Sequence, residues 1–186
     1  HKHEQKARDL LTAAFADKYE WSFVFSLVRL GYSGLLVGIK KGANFTAFVP
    51  RQPSIDNVET EARLLGVVGP GISVIAIYAV NAMALCKRME VKRRWFDELA
   101  QILGNPADPN IGRHRKLLLI GDVNCLVEHE QQYIAAKKLR QPGMADMPSL
   151  TCEEVHIFAK FRRDTGLEIL PYHSRVDTGC GVNLSR

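Results

Sequence analysis

Leu117-Leu118-Leu119-Ile120-Gly121-Asp122-Val123-Asn124 is an apolar run that breaks off into a polar motif. Four consecutive aliphatic residues predict a short strand buried on both faces, and that strand delivers Gly121 and Asp122 at its carboxyl end. Alternate residues of a strand share a face, so Asp122 and Asn124 are expected to point to one side. A carboxylate placed there can orient or deprotonate an attacking water, and a carboxamide two residues on can donate to a phosphate oxygen. Gly-Asp-x-Asn also describes an ordinary strand and turn, so its weight depends on what the rest of the chain brings beside it.

A second strand, Ile72 to Tyr78, runs into Ala79-Val80-Asn81 and so presents a phenol and a carboxamide at another strand end. Arg63 to Val68 precedes it across Gly69-Pro70-Gly71, which predicts an antiparallel pair. Earlier, extended segments at Trp21 to Ser26 and Leu35 to Ile39 flank Gly31-Tyr32-Ser33-Gly34, the pattern of a hairpin. Ala7, Leu10, Leu11, Ala14 and Phe15 recur at helical spacing within 6–18. From Arg88 to Leu103 the period again becomes helical, with Val91, Trp95, Leu99 and Ile102 on the sheet-facing stripe and Lys92, Arg93 and Glu98 displaced from it. Gly104 and the proline-rich loop 105–110 end that helix. Thr151 with Glu154 forms a capping box, opening a helix that carries Val155, Phe158 and Phe161 to about Thr165-Gly166. Strands in hairpins, a helix between strands and a strand ending in a polar motif predict a layered α/β sandwich, with two packed, mostly antiparallel sheets flanked by helices. One domain covering 1–186 is expected, since a chain of 186 residues can bury a single sizeable core.

Hydrophobic residues make up 46% of the chain and charged residues 24%, a balance that excludes fibrous and disordered classes. The longest apolar run, Gly71 to Leu85, falls short of the roughly 20 residues a spanning helix needs, so no membrane partner is expected. A net charge of +5 and a pI near 9.1 favour polyanionic partners. Lys87, Arg88, Lys92, Arg93 and Arg94 cluster in one segment and Arg113, His114, Arg115 and Lys116 in another; each reads either as a nucleic-acid patch or as a solvated face. Cys86, Cys125, Cys152 and Cys180 form no Cys-x-x-Cys pair, and the start of the chain has no secretory apolar region, so an intracellular, reduced protein without a structural zinc is expected. His1 and His3 at the terminus read more simply as a frayed end than as a metal site.

With the two strand ends taken together, the sequence resembles the endonuclease/exonuclease/phosphatase superfamily, in particular the exonuclease III type of apurinic/apyrimidinic (AP) endonuclease. Glu4-Gln5-Lys6 is similar to that family's Gln-Glu-Thr-Lys segment, and Gly31-Tyr32-Ser33-Gly34 to its Gly-Tyr-Ser-Gly turn. Glu61-Ala62-Arg63 stands where the family has Glu-Gly-Arg, with alanine for glycine. Tyr78-Ala79-Val80-Asn81 resembles Tyr-x-Pro-Asn with valine for proline. Arg93-Arg94-Trp95, Gly121-Asp122-Val123-Asn124 and Thr151-Cys152-Glu153-Glu154 followed by Gly166-Leu167 continue the series in order. The resemblance implies magnesium as cofactor, held in part by Glu4, with Asp122 activating water and Asn124, Tyr78 and Asn81 holding the phosphate and Asp122 in register. It also implies a nucleic-acid surface formed by Tyr32, Lys87, Arg88, Lys92 and Arg93.

Departures from the family pattern bear on function. Its first strand, its late aspartate and its final Asp-His pair find no counterpart between His1 and Arg186; His114, His129, His156 and His173 follow Arg, Glu, Val and Tyr. Each lost interaction with the scissile phosphate is expected to cost on the order of 10²-fold in rate. The expected function is therefore a degenerate domain, lacking the first and final strands, that serves as a structural or nucleic-acid-associated subunit of a ribonucleoprotein, such as a mitochondrial ribosome. Other subunits, or RNA, would cover its sheet edges. The alternatives are an active magnesium-dependent nuclease of which this is a part, and a phosphatase acting on a lipid or small molecule. A mitochondrial location is expected over a nuclear one.

Overall fold

The computed structural model describes residues 2–15, 17–28, 32–55, 61–112, 115–125, 149 and 151–169. Gly31, Arg113, His114, His129, His173 and the segment 179–186 lie outside the described residues, as do the side chains of His3, Glu4 and Ala7. In chain order the elements are α1 (Lys2–Phe15), β1 (Tyr19–Phe25), β2 (Gly34–Lys40), β3 (Thr46–Phe48), β4 (Leu64–Gly69), β5 (Ile72–Tyr78), α2 (Met89–Leu103), β6 (Lys116–Asp122) and α3 (Cys152–Thr165).

β1 and β2 form an antiparallel hairpin sheet, and β3-β4-β5-β6 form a second sheet in which β6 runs parallel to β5. The two layers and their flanking helices are the α/β sandwich predicted above. β4 and β5 are joined through Pro70 and Gly71, and Gly71 takes φ 71°, a left-handed conformation that glycine adopts without a steric penalty. The pleat then assigns the faces. Leu64, Ile75, Ile77, Leu117 and Leu119 share one face, and against it pack Trp95, Phe96, Leu99 and Ile102 of α2. Phe158 and Phe161 of α3 complete this core, with Phe96 and Phe161 ring centroids 5.1 Å apart. Truncating a ring such as Phe96 here is worth roughly 3–5 kcal/mol. Ser73 is also buried on this face, and its hydroxyl donates to the Asn110 carbonyl. Lys160 bridges Asp164 and Asp97 on the surface of the α2–α3 pair; these hydrogen bonds, that to Asp164 first, raise its pKa above the ordinary lysine value.

The opposite face, carrying Val67, Val74, Ala76 and Ile120, meets the hairpin sheet across a cleft of about 410 Å³. Coverage stops short of β6. Ile120 is 52% exposed, and Leu117, Leu118 and Leu119 are half-buried, so the strand expected to be buried on both faces is fully buried on neither. β6 is the edge of the described sheet, and a two-stranded layer is too narrow to reach over it. α1 forms where periodicity predicted a helix, but Leu10 remains 62% exposed, so its apolar residues do not reach a core. Val91 is half-buried, the buried stripe of α2 having rotated toward Met89, Lys92 and Phe96. β3, too short and weakly patterned to be read from sequence, pairs with β4.

Ala62 adopts φ 54° at the entrance to β4. A Cβ in the left-handed region costs roughly 1–2 kcal/mol, part of which glycine's larger unfolded-state entropy returns. Ala62→Gly is therefore expected to stabilise the domain by up to about 1 kcal/mol in urea unfolding. A loss of stability in that measurement would mean that packing of the Ala62 methyl outweighs backbone strain.

Candidate functional site

Parallel pairing places Tyr78 directly beside Asp122, and the ladder continues one residue further through Ala79 N–H donating to the Asp122 carbonyl at 2.8 Å. Beyond Asp122 the chain leaves the sheet. One Asp122 carboxylate oxygen accepts from the Asn124 amide at 2.7 Å, closing a tight turn in which Asn124 takes φ 50°. The strand alternation expected to put Asn124 on the same face as Asp122 therefore does not extend to it. Asn124 turns back toward β5: its Nδ2 donates to the Ala79 carbonyl at 2.8 Å, and its Oδ1 accepts from Asn81 Nδ2 at 3.0 Å. Asn81 Oδ1 in turn accepts from the Met83 amide at 2.7 Å. Tyr78, Asn81, Asp122 and Asn124 are thus brought together, as the motifs predicted, and the two carboxamides satisfy each other and the backbone.

Beneath this end lies a charged cluster built from Glu61-Ala62-Arg63. Arg63, almost fully buried, donates from Nε to Glu61 at 2.6 Å and from Nη1 to the carbonyls of Tyr78 and Ala79 at 2.9 and 3.2 Å. Its guanidinium also lies 4.9 Å from the centroid of the Tyr78 ring. The second Glu61 oxygen accepts from Arg88 at 2.9 Å, and Arg88 donates onward to the Tyr32 hydroxyl at 2.6 Å. A buried guanidinium survives only when its donors are met; here one carboxylate serves two arginines, which lock the turn at Tyr32 to the end of β5.

The basic segment divides. Lys87 is exposed, Arg88 keeps 19% of its side chain exposed, and Arg93 is half-exposed but pairs with Glu90 and Glu153. Lys92, expected on the nucleic-acid surface, is fully buried and is removed from that set. Its Nζ donates to Glu154 at 2.7 Å and to the Asn124 carbonyl. Glu154 also closes the capping box with Thr151 at the start of α3. The sequence carried a signal that was misread: Lys92 stands three residues before Trp95 and four before Phe96, on the buried stripe of α2.

The Glu4 side chain, expected to hold magnesium, lies outside the described residues. Among the described residues no three His, Cys, Asp or Glu side chains gather. At the sheet end Asp122 supplies one open oxygen, while the carboxamide oxygens of Asn81 and Asn124 already accept hydrogen bonds. A single carboxylate is the least that holds a magnesium ion, and then only together with substrate phosphates and water. The described residues therefore do not make a preformed metal site.

No protein-family model matches the sequence, and no curated protein matches it significantly. Solved structures do share its fold. AP endonuclease LMAP from Leishmania major is 17% identical, with a TM-score of 0.59 over 80% of this chain and 50% of its own. The 3'-5' exonuclease NExo from Neisseria meningitidis is 21% identical, with a TM-score of 0.53 over 77% of this chain and 51% of its own. A second structure of Neisseria NExo, a 3' phosphatase bound to a product DNA hairpin, has a TM-score of 0.50. The chain spans about half the length of each of these proteins.

Removing the Lys92 ammonium leaves the Glu154 carboxylate uncompensated in the core. Lys92→Met is expected to cost roughly 3–5 kcal/mol in chemical denaturation, and a second change, Glu154→Leu, to recover most of that loss. A single variant as stable as the parent would show the pair to be dispensable.

Proposed function

We propose that this domain binds nucleic acid at the Tyr78–Asp122 end of its sheet, as a subunit of a larger nucleic-acid-containing assembly, without cleaving phosphodiesters itself. The observation that carries this reading is the closure of the carboxamide pair. Asn81 and Asn124 each spend their acceptor and a donor on each other and the backbone, so they act first as scaffold. Hydrolysis builds negative charge on phosphoryl and leaving oxygens and needs groups aimed at that charge. Exposed Lys87 and the remaining surface of Arg88 supply the attraction that phosphate binding requires. β6, the edge strand among the described residues, and its half-exposed Ile120 favour a neighbour alongside this sheet.

A second reading, magnesium-dependent hydrolysis, is favoured by one detail. Asp122 is exposed beside Tyr78 and keeps a carboxylate oxygen that no described group engages. Under this reading Asp122 orients water, and magnesium would polarise the phosphate.

The two readings separate on a duplex carrying one abasic site. The expected result is salt-sensitive binding with no magnesium-dependent turnover. Lys87→Gln should weaken binding and lower the slope of log affinity against log salt by about one. Robust cleavage that disappears in Asp122→Ala would establish the enzymatic reading instead.

A further inference from the structure

The outer face of β1 carries Tyr19, Trp21 and Phe23 in one row at two-residue spacing, and α1 crosses over that row without sealing it. Between them lies a cleft of about 600 Å³, within the range that holds small ligands. Its floor is aromatic. The Tyr19 and Trp21 centroids are 5.7 Å apart with planes inclined by 39°. Trp21 lies flat across the hairpin because its cross-strand partner is Gly38; a Cβ there would come within 2.6 Å of the indole. The wall contributed by α1 is polar, with Gln5, Arg8, Asp9 and Thr12. Arg8 stacks its guanidinium 4.6 Å from the centre of the Phe23 ring. Lys41 lines the rim, and Lys40 stands directly opposite Tyr19.

A buried aromatic row under an apolar helix would be ordinary core. Here the helix offers polar groups and Leu10 remains 62% exposed; Phe15, with its ring 6.5 and 6.3 Å from those of Tyr19 and Trp21, is still 44% exposed. Aromatic floor and cationic rim together meet the requirements of an unpaired nucleotide: rings to stack on and charge to neutralise its phosphates.

We propose that the α1–β1 cleft is a binding site for single-stranded nucleic acid, which stacks a base on Tyr19 and Trp21 with its phosphates against Lys40, Lys41 and Arg8. The site is separate from the Tyr78–Asp122 end but rests on the reading of the domain as a nucleic-acid binder.

Fluorescence tests this directly, because the chain has two tryptophans and Trp95 is fully buried in the core. The intact chain is titrated with a labelled decathymidylate, following tryptophan emission and label anisotropy together. The expected result is quenching of Trp21 with the same midpoint as the anisotropy change. Tyr19→Ala should raise both midpoints on the order of 10-fold, while Tyr19→Phe, which keeps the ring, should restore them. Thermal melting of each variant separates a binding loss from misfolding. Oligonucleotide binding without quenching, or midpoints unmoved by Tyr19→Ala, would overturn the cleft and leave the nucleic-acid reading standing. Failure of both single-stranded and duplex probes to bind would overturn both. Emission that shifts on protein dilution without oligonucleotide would make a second copy the occupant and reject the proposal.

Discussion

The buried ammonium of Lys92 is the constraint on which the polar end of the domain turns. Taking a charge out of water costs several kcal/mol even after relaxation, and the fold meets that cost by surrounding the group with the Glu154 carboxylate and the Asn124 carbonyl. Each partner belongs to a different element: α2 supplies the cation, α3 its counter-ion, and the turn after β6 a carbonyl. Glu154 is itself fixed by Thr151, so the capping box is both the start of a helix and one side of an ion pair. Displacing any of these elements would strand a charge, which ties the helices to the sheet end more specifically than ring packing could.

The second charged cluster works on the other edge of the same end. Glu61 is divided between Arg63 and Arg88, and through them the turn at Tyr32 and the carbonyls closing β5 are held to one carboxylate. Two arginines face one glutamate here, and the exposed Asp122 carboxylate beside Tyr78 brings the formal charges gathered at this end into balance.

Much of this was legible in the chain. Apolar segments on either side of Gly69-Pro70-Gly71 located β4 and β5, the apolar run located β6, and Thr151 with Glu154 marked the first turn of α3, because each signal is local and strong. The gathering of Tyr78, Asn81, Asp122 and Asn124 was also legible, since motifs at two strand ends converge once those strands are neighbours. What escaped was set by tertiary context. Lys92 counted as polar in any pattern, yet its place on α2 buries it, where Glu154, 62 positions away, and the Asn124 carbonyl make it tolerable. Ile120 read as interior because its neighbours are apolar, but interior status on two faces needs two covering layers, and the hairpin sheet ends before it. Leu10 had helical spacing without a surface to face.

The parallel pairing of β5 with β6 also orders events in time. β4 and β5 are adjacent in sequence and joined by a tight turn, so they can associate quickly, whereas Asn81 and Asn124 lie 43 positions apart. Their contact waits for closure of a long loop and for α2 to dock between. The polar end of the sheet is accordingly assembled from non-local contacts, and a nascent chain lacks it until β6 has been synthesised and paired alongside β5. Any ligand that recognised this end would discriminate between folded and partly folded chains.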